Sequence, residues 1–181
     1  MTAVTDRVAA RSGGPVTTRT TAAVFLVVRV GVALLWIQNV MWKLPPDFGR
    51  ARNADLFVYV NDAVEHPVVA PWSWVVEHVV LPNYVAFGWM TLLAESAIGA
   101  FLLVGLATRL FALIGVAQSI AIALSVLNTP GEWHWSYYLM IMAHLLLFAV
   151  AAGRAYGVDA VLRPMWLASS GRLARLLALA S

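Results

Sequence analysis

Apolar positions along the chain gather into four long runs: Thr21 to about Trp42, about Tyr84 to Leu106, Arg109 to about Leu127, and about Trp135 to Gly153. Each is long enough to cross a bilayer as a helix, which takes roughly 17–25 residues rising 1.5 Å apiece. Only Ala107 and Thr108 separate the second run from the third, which forces those two into an antiparallel hairpin. The stretch "NTPGEWHW", residues 128–135, joins the third to the fourth through a Pro-Gly turn. The chain shows no internal repeat.

The segments between and around these runs are of a different kind. Residues 1–20 are polar, with Gly13, Gly14 and Pro15, and are expected to be a disordered tail. The apolar run that follows is too long for a removable signal core, so it is expected to remain as a membrane helix. Prolines at 45, 46, 67, 71 and 82 break the segment from Leu44 to Asn83 into short pieces of mixed apolar and charged residues. Short helices at the interface fit this pattern, with Trp72 and Trp74 at headgroup level. At the other end "PMWLASSGRLARLLALAS" sets Leu173, Leu176 and Leu177 apart from Arg172 and Arg175, as a helix lying on a membrane surface would; a frayed tail is the alternative.

The pattern therefore predicts an all-α integral membrane protein: a four-helix bundle over residues 21–162, short interfacial helices in its first outer loop, and an amphipathic helix over 163–181. Composition supports lipid as the solvent. The chain is 61% hydrophobic and 12% charged, with a mean hydropathy of +0.79, whereas soluble domains are about 45–50% apolar and about 25% charged. A scattered net charge of +3 gives no footprint for nucleic acid. The absence of cysteine excludes disulfides, thiol catalysis and thiolate-held metals for this chain by itself.

Arginine placement sets the expected orientation. With the N-terminus cytoplasmic, the inner face collects Arg7, Arg11, Arg19, Arg109, Arg154, Arg163, Arg172 and Arg175, and the outer face keeps Lys43, Arg50 and Arg52. That bias favours both termini inside, across a bacterial-type plasma membrane.

Polar residues inside the runs can then be placed by depth. Counting from the inner ends, Arg29 lies about 12 Å up, Glu95 about 16 Å, and Gln118 and His144 about 13–14 Å. Each helix contributes one strongly polar side chain near the midplane. Lipid-facing charge there costs about 2.5–3.5 kcal/mol or more, so Arg29 and Glu95 are expected to point inward and pair, with Gln118 and His144 completing the hydrogen bonding. Such a cluster suits the head group of a quinone, whose carbonyls need donors and whose reduction needs protons. The same residues can equally act as polar glue between helices.

Other chemistries are less well supplied. His144 alone lies well inside a span, and no other helix offers a second axial ligand at its depth, so haem is not expected. The outer histidines His66, His78 and His134 follow no metal-ligand spacing, and no metal site is expected either. Lys43, with Arg50 and Arg52 near it, is a candidate contact for an outer anion, although a lysine at a helix end ordinarily snorkels to the interface.

The chain resembles the DoxX-like membrane proteins, a family that includes DoxD, the small subunit of thiosulfate:quinone oxidoreductase. The resemblance lies in "RVGVALLWIQNVMWKL", with Arg29 and Lys43 at the positions of the family's arginine and lysine. It continues in "LLAESAIGAFLLVGLATRLFALIG", where Glu95 and the turn from Gly105-Leu106 to Thr108-Arg109 match. A third stretch, "PGEWHWSYYLMIMAHLLLFAVAAGRAYGVDAVL", carries the aromatic-rich start of the fourth helix and a glycine, arginine and Asp159 at its exit. The resemblance covers most of Val24 to Leu162. It implies a four-helix membrane subunit of a quinone-linked or thiol-linked oxidoreductase system, with a partner subunit on which any thiol exchange would rest. A non-catalytic anchor or assembly subunit is the alternative, and whether the chain itself catalyses is left open.

Overall fold

The computed structural model describes residues 18–181, and among these the regular elements are all helical. The disorder expected for residues 1–20 lies, for residues 1–17, outside the described residues. Residues 18–20 instead belong to the first helix: α1 spans Arg19–Val40, and the Thr18 hydroxyl caps it by accepting from the Thr21 N–H at 3.2 Å.

Two short helices follow, α2 (Leu56–Glu65) and α3 (Ala70–Val75), the latter running on into a π-helical turn over Val76–Val80. Then come α4 (Tyr84–Val104), α5 (Thr108–Val126) and α6 (His134–Val150). The chain ends with α7 (Val158–Ala168) and α8 (Arg172–Ala180). The expected boundary at 162/163 thus falls inside α7, whose helix runs through Pro164. Both α7 and α8 expose apolar side chains, Val161, Met165 and Leu167 on the first and Leu173, Leu176 and Leu179 on the second, while Leu177 is half-buried.

Helices α1, α4 and α5 are long and apolar enough to cross a membrane; α6, at 17 residues, is apolar but shorter. The four pack side by side, α1 against α4 and α6, and α5 against α4 and α6. A core of Val32, Ala33, Trp36, Ile98, Leu102, Ala112, Leu147 and Ala152 lies between them. Their outer faces expose Val27, Leu35, Leu93, Met90 and Met142. Helices that bury a polar centre and expose apolar side chains have the arrangement of a membrane protein, where lipid replaces water outside.

Two glycines set the packing. Gly105 closes α4 in the left-handed region, at φ +72°, and a Cβ there would lie 2.3 Å from Nη1 of Arg29. It starts the tight turn that reverses the chain into α5. Gly115 lets α5 approach α6, because a Cβ at that position would lie 2.1 Å from the His144 ring.

Away from the main core, Phe48, Leu56 and Tyr84 form a smaller one. The Tyr84 hydroxyl donates to the Phe48 carbonyl at 2.8 Å, which fastens the proline-rich connection to the start of α4. Asp47 accepts from the N–H groups of Ala51 and Gly49, and these bonds hold its carboxyl below its ordinary pKa.

Candidate functional site

The polar side chains of the spans separate into three groups. Glu95 is fully buried in the middle of α4, and its partner is Lys43, whose Nζ lies 2.7 Å from Oε2. Asn39 donates its amide to the same oxygen at 3.2 Å, and Gln118 of α5 donates to Oε1 at 3.2 Å. Asn39 and Lys43 are one helical turn apart, and Lys43 Nζ also donates to the Asn39 carbonyl at 2.9 Å. With Nζ 4.0 Å from the centre of the Trp42 ring and the residue only 3% exposed, Lys43 does not snorkel to an interface. It turns back towards the carboxylate.

Arg29 takes no part in this group. Its guanidinium donates to the carbonyls of Leu102 and Leu103 at 2.7 and 3.1 Å, and to that of Tyr156 at 3.2 Å. It therefore serves carbonyls of the last turn of α4, where helix-internal donors have run out and the dipole favours a cation. The expected Arg29–Glu95 pair is corrected accordingly. Depth counting started α1 and α4 from a common level, whereas the level of Arg29 matches Leu102 and Leu103, about two turns from Glu95. Helix α1 starts well below the α4–α5 turn.

His144 forms a third group with Trp36. The indole Nε1, which can only donate, lies 2.7 Å from His144 Nε2. The proton is therefore on Nδ1, which donates to the Met140 carbonyl at 2.7 Å. Both ring nitrogens are occupied in the neutral tautomer, and the expected contribution of His144 to the Glu95 group is corrected as well.

Beyond Glu95 lies a cavity of about 600 Å³. Its floor is Glu95, Asn39, Lys43 and Gln118, and its polar upper wall includes Tyr59, Trp72, Ser125 and Tyr137. The Trp72 indole donates to the Ser125 hydroxyl at 3.1 Å, and the Tyr137 hydroxyl donates to the Glu132 carboxylate. Trp72, expected at headgroup level, is thus half-buried in the cavity wall, while Trp74 is exposed and stacks on His78. Met90 both lines the cavity and is 61% exposed, so the cavity reaches the apolar flank of α4.

A separate cluster lies at the end of α2. Asp62, Glu65 and His66 place one potential ligand atom each within 4.8 Å of one another. Burial raises the pKa of the Asp62 carboxyl above its ordinary value.

Residues 24–177 match the family described as TQO small subunit DoxD. No curated protein and no solved structure matches the chain.

Proposed function

The chain belongs to the DoxD family, and from that premise we propose that it is the membrane subunit of a thiosulfate:quinone oxidoreductase complex, crossing a bacterial plasma membrane four times with both termini cytoplasmic. In this reading the cavity above Glu95 receives the head group of a quinone. The observation that carries it is a polar floor, closed by a buried ion pair and two amides, beneath an otherwise largely apolar cavity that reaches the lipid-facing side of α4.

The size and chemistry suit such a guest. Small-molecule sites run from about 300 to 1,000 Å³, mostly apolar with a few placed polar groups. Quinone carbonyls accept hydrogen bonds, and Gln118 and Lys43 are donors facing one space. The isoprenoid tail leaves past Met90 into lipid. Quinone supplies the two-electron, two-proton acceptor. With no cysteine in the chain, electrons from thiosulfate arrive through the partner subunit, while Glu95, Lys43 and the Tyr137–Glu132 pair hold protons near the head group.

Titration of the purified protein with decylubiquinone, followed by quenching of Trp42 and Trp72, tests the reading. The wild type is expected to bind saturably, and Gln118→Leu to bind roughly tenfold more weakly, the value of one buried hydrogen bond. Arg29→Lys, outside the cavity, is expected to bind as the wild type does. Equal affinity in Gln118→Leu would sink the site and leave the chain as an anchor or assembly subunit.

A further inference from the structure

We propose that Asp62, Glu65 and His66 form a binding site for a divalent cation of the zinc type, with the Thr129 hydroxyl beside them. The three residues stand at i, i+3 and i+4 around the end of α2, the spacing that puts side chains on one helical face. Their ligand atoms, two carboxylate oxygens and one imidazole nitrogen, lie within 4.8 Å of one another. A mixed oxygen and nitrogen set of this kind suits zinc better than calcium or magnesium, which prefer oxygen alone.

A second observation comes from burial. Asp62 is 8% exposed, and among the described residues no lysine or arginine pairs with its carboxylate. Its hydrogen-bonding neighbour is the neutral hydroxyl of Thr129. A buried carboxylate answered only by a neutral hydroxyl is costly, and a bound cation compensates its charge. Rotamer changes bring the donors to coordination distance, with Glu65 giving up its hydrogen bond from Asn61.

Position gives the cation a task. Helix α2 supplies Leu56, Tyr59 and Val60 to the cavity wall, and the loop between α5 and α6 supplies Glu132. The segment after His66 is already tied to that loop, where the Asn128 amide donates to the Pro67 carbonyl at 2.8 Å. A cation held by α2 beside Thr129 fastens the cavity's wall to the loop and offsets the negative charge of Asp62, Glu65 and Glu132 at this end of the molecule.

The test is calorimetric titration of zinc chloride into the full chain in detergent after removal of metals by chelator. One equivalent is expected to bind with low micromolar affinity and to raise the melting temperature. Asp62→Asn and His66→Ala are each expected to weaken binding by at least about tenfold. His78→Ala, which alters an exposed histidine 3.7 Å from Glu77 elsewhere, is expected to change nothing. His66 is half-exposed, so its variant keeps the fold, which circular dichroism checks. Absence of wild-type binding, or equal affinity in His66→Ala, overturns the site.

Discussion

Glu95→Ala is expected to remove about 3–5 kcal/mol of stability, because it leaves the Lys43 ammonium buried without its counter-ion. For a chain of this length the loss corresponds to a fall in melting temperature on the order of 10 °C, measurable by tryptophan fluorescence in detergent. Burial sets the size of the effect: both side chains are nearly inaccessible, at 2% and 0% exposure, and the ion pair is 2.7 Å long. Lys43→Met is expected to cost a similar amount, since it strands the carboxylate with only the amides of Asn39 and Gln118. The double variant Lys43→Met/Glu95→Gln removes both charges and is expected to recover most of the loss. By contrast Asp55→Asn breaks a pair whose arginine side chain is 64% exposed, and it is expected to change stability by less than about 1 kcal/mol. A double variant no more stable than either single would show that the two charges do not depend on each other.

The long helices are legible in the sequence because lipid imposes a one-dimensional rule. Apolar runs bounded by Gly105 and by Pro130-Gly131 coincide with α4 and α5 to within a few residues. The site is only partly legible. Glu95 and Gln118 meet as depth counting suggests, because both lie on helices joined by one tight turn and so share a reference level. Arg29 and His144 do not join them, for two physical reasons. Depth fixes height but not the direction a side chain faces, and a buried polar group can be satisfied by backbone carbonyls or an indole as readily as by a charge. The missed partner, Asn39, sits in the last turn of α1 four residues before Lys43, a spacing that marks a polar stripe at the end of an otherwise apolar run. The cluster of Asp62, Glu65 and His66 has the same kind of signal, three potential ligand side chains at i, i+3 and i+4.

Asp159→Ala is expected to be about as damaging as loss of Glu95, for a different reason. The carboxylate is fully buried and accepts from two backbone donors, the Ala107 N–H at 2.7 Å and the Thr108 N–H at 2.9 Å. These belong to the start of α5, where N–H groups have no helical partner and the dipole favours an anion. Its own N–H donates to the Gly105 carbonyl at 2.9 Å, so the first turn of α7 and the α4–α5 turn hold each other on three bonds. Arg29 secures the other side of the same turn through Leu102, Leu103 and Tyr156. Alanine strands two buried donors, at a cost of about 3–5 kcal/mol when hydrogen bonds to a charged group contribute about 1.5–3 kcal/mol each. Asparagine keeps one acceptor and is expected to lose roughly half as much. Because this knot lies outside the Glu95 cavity, folded Asp159→Asn is expected to bind decylubiquinone as the wild type does. Thermal melting and quinone titration of the same variant thus separate what holds the helices from what the cavity holds. Wild-type stability in Asp159→Asn would mean that neither the charge nor the second acceptor contributes, and weakened binding would tie the knot to the cavity.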